Sequence, residues 1–310
     1  MAQKLRILHL AILGMMIPVI ASSPTQAQKS TDESVQGLTA QGREAMSRGD
    51  LRAAESLLKR ALADLSAGPD QPGSLAQSLN NLAQVYLAQG RFAEAEPLLQ
   101  QVLAIQTAAG QSNANTVAAL NNLAALYQAQ GRFAEAESYL KRALSIGEQV
   151  QGPNDPRNAA TLNNLADIYR RQGRFTEAEL LLRRAQAIQE KDPNNPDLAA
   201  TLNSFAVLYE DQGRYTEAEP LLRRVLGIQA KVFGADHPSV AQTLNNLGAV
   251  YQQQGRYSEA EPLLIRALAI REKMLGPDSP YVATTRNNLA DLYKSEGRYD
   301  EAESLLKRML

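Results

Sequence analysis

Cysteine and tryptophan are absent from this chain of 310 residues, and histidine occurs only twice. Without cysteine there can be no disulfide, no thiolate metal site and no cysteine nucleophile. One histidine, His9, lies in an apolar N-terminal stretch, which leaves His237 as the single imidazole of the remainder. One imidazole is too few for a histidine metal centre, and no serine has a usable histidine to activate it. A Gly-rich phosphate loop with a following lysine and a His-Glu-x-x-His pair are missing as well. No catalytic, metal or cofactor site is therefore expected. Charge of one sign is lacking too, since 32 Lys and Arg face 33 Asp and Glu, for a formal net charge of -1. The basic residues are scattered among glutamates, and no stripe exists that could follow a nucleic-acid backbone, so no nucleic-acid partner is expected.

A long hydrophobic run is missing as well. The apolar stretch from Ile7 to Ala21 follows Lys4 and Arg6 and is interrupted by His9, Gly14 and Pro18. It is short for a membrane span and has the layout of a secretory signal, with small residues at Thr25-Gln26-Ala27 and a second choice at Val19-Ile20-Ala21. The expectation is cleavage after Ala27, a polar linker over 28–35, and a periplasmic or secreted chain with no stable membrane insertion. The alternative is an uncleaved N-terminal anchor. Cleavage would remove two cations and no acid, taking the formal charge to about -3.

What the chain does have is a phrase written six times. Gly-Arg-(Phe/Tyr)-x-Glu-Ala-Glu begins at Gly90, Gly131, Gly173, Gly213, Gly255 and Gly297, with a worn copy at Gly49. Successive glycines lie 41, 41, 42, 40, 42 and 42 residues apart, a period that signals a solenoid whose units bury their apolar surface only by stacking. In one unit, Leu79, Leu82, Ala83 and Tyr86 share a helix face, Gly90 can take the left-handed conformation that ends a helix, and Phe92, Ala95, Leu98, Leu99, Val102 and Leu103 define a second helix. The unit is an antiparallel helical hairpin.

Within each unit a pair of carboxylates, such as Glu94 with Glu96 or Glu177 with Glu179, falls in the first turns of the second helix. Six equivalent pairs argue for structure and against acid-base chemistry, with the first glutamate expected to reach back to an unpaired backbone N–H. Pro97, Pro220 and Pro262 sit inside second helices, where each is expected to bend the helix locally. Asp155-Pro156, Asn195-Pro196, His237-Pro238 and Ser279-Pro280 read as helix starts, which makes His237 an N-cap.

Thr243-Leu-Asn-Asn-Leu-Gly-Ala-Val-Tyr251, Gln254-Gly-Arg-Tyr-Ser-Glu-Ala-Glu-Pro262 and Leu275-Gly-Pro-Asp-Ser-Pro280 resemble tetratricopeptide repeats of the roughly 42-residue, kinesin light chain-like variety. The resemblance covers about 36–310. It implies an all-α fold, a right-handed α-solenoid of about seven tandem helix-turn-helix units, whose first helices line a groove for an extended peptide or a partner's helix. The first unit departs most, with Thr39 and Ala40 where the others carry an asparagine pair, and with Asp50 in place of the arginine.

That pair is Asn80-Asn81, Asn121-Asn122, Asn163-Asn164, Asn203-Ser204, Asn245-Asn246 and Asn287-Asn288. About 100° of helix rotation separates its members. The second member shares a face with Val85, Leu126, Ile168, Leu208, Val250 and Leu292, and is expected to point into a neighbouring repeat. The first shares a face with mixed residues: Gln84, Gln128, Asp167 with Arg170, Glu210, Gln252 and Lys294. These residues with the first asparagines are the candidate peptide groove, where primary amides can meet the N–H and C=O of an extended chain. The alternative is that the first asparagines cap turns or bridge repeats. Arg170 and Arg171 are placed to pair with Glu210 and Asp211 one repeat on. No lysine or arginine recurs along the groove, so a clamp on a C-terminal carboxylate is not expected. Leu305, Leu306, Met309 and Leu310 carry the spacing of a buried face at the last unit, which raises weak self-association there as a rival purpose.

Overall fold

The computed structural model describes residues 26–67, 71–108, 113–191 and 195–307, with side chains from residue 34 onward. The expected export signal lies almost wholly outside the described residues, as do Met309 and Leu310. Among the described residues there are fourteen helices. None of these is long and apolar enough to cross a membrane.

The chain divides into two compact units, 1–78 and 79–310. In the first, α1 (Gln26–Ser47) packs on α2 (Leu51–Ala67), followed by the front of α3 (Pro72–Ala88). The stretch read as a linker, 28–35, is the start of α1. Its Ser, Thr, Asp and Glu do not break a helix, and Val35 is buried in a core with Ala61 and Leu65. The worn copy of the repeat phrase belongs here. Gly49 takes a φ of 78°, and the Asp50 carboxylate accepts from Ala53 N–H at 3.0 Å, so it caps α2.

The second unit holds the rest of α3 and then α4 (Phe92–Ala108), α5 (Ala114–Ala129), α6 (Phe133–Gln151), α7 (Asn158–Arg171), α8 (Phe175–Gln189), α9 (Pro196–Asp211), α10 (Tyr215–Phe233), α11 (Pro238–Gln253), α12 (Tyr257–Leu275), α13 (Pro280–Ser295) and α14 (Tyr299–Lys307). From α4 onward each even-numbered helix up to α12 packs on the odd-numbered helix that follows it, and α5 to α14 also pair as hairpins. Odd-numbered helices touch directly as well, α5 with α7, α7 with α9 and α11 with α13. The result is an all-α solenoid of helix-turn-helix units.

Each hairpin needs its neighbour. The core of α7 and α8, with Ala159, Leu162, Ala185 and Ile188, takes in Leu144 from α6, and that of α11 and α12 takes in Leu226 and Ala230 from α10. A buried leucine contributes about 1.5–3 kcal/mol, so a hairpin cut from the stack loses much of what holds it. The prolines Pro97, Pro220 and Pro262 lie within α4, α10 and α12, which run through them unbroken.

Helix starts follow the expected residues in three of four cases. Asn195 accepts from Asp197 N–H, and His237 Nδ1 accepts from Ser239 N–H at 3.2 Å. Asp155 accepts from Arg157 N–H, but α7 is regular only from Asn158, because its first turn is wound tightly by bonds three residues long. Ser279 occupies the N-cap without a side-chain bond.

Candidate functional site

Two recurring side-chain systems run along the second unit, one at the turns and one on the odd-numbered helices. At the turns the repeat glycines have φ between 68° and 78°, the left-handed region open to glycine without strain. Beside Gly131, the N–H of Arg132 then closes onto the C=O of Tyr127 at 2.8 Å, and the same bond recurs from Arg174 to Tyr169 and from Arg256 to Tyr251. This closure consumes the backbone donor to which the first glutamate was expected to reach. That glutamate binds the arginine side chain instead: Glu259 takes Arg256 Nε and Nη2, both at 2.7 Å.

The second glutamate of each phrase works across the repeat junction. Glu219 accepts from Arg256 Nη1 at 2.6 Å and from the Tyr251 hydroxyl at 3.0 Å, both one repeat on. Glu179 meets Arg214 and Tyr209 in the same way, and Glu96 meets Tyr127. Each arginine also lies over the tyrosine of its own repeat, 3.8 to 4.3 Å from the ring centroid. Burial would raise the Glu137 carboxyl, but hydrogen bonds from Lys141, Gln172 and Arg174 outweigh it and hold the group down at about 2. Against the same cost of burial, hydrogen bonds from the arginines hold the Glu179 and Glu219 carboxyls below their ordinary value, so these groups have no proton to trade near neutral pH.

The asparagines form the second system. Asn122 Nδ2 donates to Asn80 Oδ1 at 2.6 Å, Asn164 to Asn121 at 3.2 Å, Asn246 to Asn203 at 3.5 Å and Asn288 to Asn245 at 3.0 Å. The second asparagine does point toward the neighbouring repeat, and its partner there is the first asparagine. The expectation that only the second would be enclosed does not hold: Asn245 is 5% exposed, while Asn164 is exposed. Asn121 Nδ2 donates in turn to Thr161 at 2.9 Å, and Asn163 Nδ2 to Thr201 at 2.8 Å. Much of the first asparagines' bonding capacity thus goes into bridging repeats. Asn287 is exposed, and no rung is present on it among the described residues.

One rung is different. Ser204 stands where the second asparagine should be, and its hydroxyl turns back to Ala200 C=O at 3.1 Å. At this junction, between α7 and α9, lies a cleft of about 580 Å³ with Asn163, Asp167, Arg170, Asn203 and Ser204 among its lining. Five of the candidate groove residues or their direct neighbours in sequence therefore meet around a real concavity. Gln84, Gln128 and Gln252 are half-buried on the same helical register, Gln128 donating to Asp167 at 2.6 Å, and Lys294 pairs with Asp291.

Around the cleft Asp167 and Arg170 are tied up among themselves, and Glu210 on the next helix stands apart. Asp167 accepts from Arg170 Nη2 at 2.7 Å and Arg171 Nε at 2.8 Å, and Arg170 also bonds to Asp211 on α9. The expected pairing of these arginines with Glu210 does not form. Glu210 Oε1 is buried without a hydrogen-bond partner, and burial, with Asp211 beside it, raises its carboxyl to about 7. Among the described residues no cluster of carboxylates and histidine could hold a metal ion.

A family model for the tetratricopeptide repeat matches residues 42–108, 115–191, 197–273 and 240–310. The chain belongs to the tetratricopeptide repeat family. Its repeats are of the kinesin light chain type: it is similar to nearly identical TPR-like repeats of a kinesin light chain from Podosopora anserina, with 33% identity and a TM-score of 0.54 over 67% of this chain and 99% of that one. BtubC (BKLC) from P. vanneervenii is similar at 24% identity and a TM-score of 0.60, covering 80% of this chain and 93% of that one. A Rap protein complexed with competence and sporulation factor aligns at 18% identity and a TM-score of 0.59, over 86% and 76%. These last two likenesses concern the fold alone. No curated protein sequence matches the chain. A tetratricopeptide repeat array is a protein-interaction scaffold, generally without catalysis, and its partners are proteins or peptides.

The candidate groove residues of the sequence did not include Gln189, which lines the cleft, or the buried Thr201 that bonds to it. A signal for the cleft was present all the same, because Ser204 is the one break in a run of second asparagines.

Proposed function

We propose that the protein is an exported, non-catalytic scaffold that binds an extended segment of a partner protein along the asparagine-bearing faces of its odd-numbered helices. The observation that carries this reading is the cleft of about 580 Å³ between α7 and α9, within the range of sites that enclose a ligand. Its lining alternates apolar residues such as Ala160 and Val207 with primary amides, a surface suited to a peptide backbone. The Rap protein complex illustrates the same fold holding a partner, and supports the reading by analogy of fold.

A photo-crosslinking residue at Val207, with Leu180 on the exposed face of α8 as the comparison, tests the site in cells. Partner adducts are expected from 207 and few from 180. Equal labelling would remove the groove from consideration. Export rests on Lys4, Arg6 and the interrupted run to Ala21. N-terminal sequencing of protein from the envelope is expected to begin at Gln28, and an intact Lys4 in the membrane fraction would contradict it.

A further inference from the structure

The missing rung leaves specific bonding capacity unfilled. At the α5–α7 junction, Asn121 donates to Thr161 and accepts from Asn164. At the α7–α9 junction, Asn163 donates to Thr201 in the same way, but Ser204 cannot supply the second bond. The Thr201 hydroxyl lies 2.6 Å from Gln189 Oε1 and 3.1 Å from Asn163 Oδ1, and its single proton belongs to the shorter contact. Asn163 Oδ1 is left as an acceptor with no committed donor among the described residues.

Gln189 supplies the opposite need. It is 3% exposed and lines the cleft, its Oε1 is taken by Thr201, and among the described residues no acceptor meets its Nε2. An open acceptor and an open donor therefore stand against the same buried threonine hydroxyl, and the two residues that carry them, Asn163 and Gln189, both line the cleft. A group that donates and accepts through adjacent atoms satisfies both.

Resting on the scaffold reading above, we propose that this gap is the selective subsite of the groove and that it takes the primary amide of an asparagine or glutamine side chain on the bound partner segment. The incoming amide occupies the place that Asn164 occupies at the preceding junction, donating to Asn163 Oδ1 and accepting from Gln189 Nε2. A glutamate there has no proton to donate, and a lysine has no acceptor. The neighbouring carboxylate of Asp167 does not draw a cation, since Arg170, Arg171 and Gln128 already occupy it. Methionine fills the volume but leaves both protein groups unpaired.

The test uses the full exported chain and nonapeptide libraries whose central residue is held as Gln, Asn, Glu, Lys or Met, with randomised flanks, measured by retention on immobilised protein. Wild type and Ser204→Ala are expected to retain the Gln or Asn library at least about fivefold over the others, as an unpaired buried polar group implies. Ser204→Asn restores the rung, so it is expected to melt no lower than wild type and to lose that preference. Equal retention of all libraries, or a preference that survives Ser204→Asn in a variant shown to be folded, overturns the subsite while leaving a peptide-binding scaffold intact. Retention of no library by any variant overturns both. A wild-type dimer that Ser204→Asn dissolves in light scattering would give the gap to a second copy of the chain, and overturns the proposal as well.

Discussion

The turn edge and the asparagine-bearing face of the second unit follow opposite rules. At the turns every repeat repeats the same atoms: a left-handed glycine, an arginine whose N–H closes the preceding helix, a tyrosine under its guanidinium and a glutamate reaching across the junction. On the asparagine-bearing face the corresponding positions read Leu87, Gln128, Arg170, Glu210, Gln252 and Lys294. Uniformity marks what stacking requires, because each copy must fit the next. Variation marks positions where each junction pairs in its own way, as Gln128 with Asp167 and Arg170 with Asp211 do, and recognition can use whatever bonding capacity such a junction leaves unmet.

The sharpest way to break this contrast is to damage the uniform edge. Gly255→Val places a β-branched side chain at a φ of 73°, which costs about 2 kcal/mol of stability and shows as a lower midpoint in urea unfolding. Partner binding, scored on protein that remains folded, is expected to stay unchanged. A loss of binding at full foldedness would show that the turn edge also recognises.

Glu210 tests the variable face through pH. Its carboxyl is raised to about 7 by burial and by Asp211, above an ordinary value of 4.5. Between those values the folded chain holds a proton that the unfolded chain has lost, so stability is present below the unfolded value and falls as pH rises through 7. Glu210→Gln removes the penalty, and its gain over wild type is expected to grow from under about 1 kcal/mol at pH 5 to about 3 kcal/mol at pH 8. A constant difference across that range would mean that Glu210 is ionised and solvated in the fold.

Legibility from sequence followed the same division. The helices and the turns were readable because each depends on residues within one period, and repetition averaged out the accidents of any single copy. The role of the arginine was not, since it rests on a backbone donor being spent by the previous helix, which no residue type announces. The asparagines were assigned to separate faces from helix geometry alone. Their pairing, first member to second member of the next repeat, depends on the register between two helices, and that register is a property of the packed stack. Residues 28–35 misled for a related reason: a polar stretch becomes helix when a single Val35 finds a core.

Smaller effects separate parts of the uniform edge. Tyr251→Phe keeps the ring beneath Arg256 and removes only the hydroxyl that donates to Glu219 at 3.0 Å. A loss of about 1 kcal/mol is expected by thermal melting. No loss would assign the work of that tyrosine to its ring.

The smallest change asks whether variation alone is enough to suggest function. Gly227 lies in the middle of α10, where the equivalent residues are Ala104, Ser145, Ala187 and Ala269. It therefore departs from the pattern as plainly as Ser204 does. A side-chain carbon built at Gly227 meets nothing within 4 Å, and its backbone has no left-handed torsion to protect. Ser204, in contrast, leaves a neighbouring amide oxygen without its donor and opens a cleft. If departures matter only where they leave bonding capacity unmet, Gly227→Ala is expected to raise stability by about 0.5–1 kcal/mol through helix propensity, with partner binding unaltered. Calorimetric melting read beside a binding isotherm measures both. Weakened binding on that substitution would mean that the even-numbered helices also take part in recognition, and the division between the two faces would have to be redrawn.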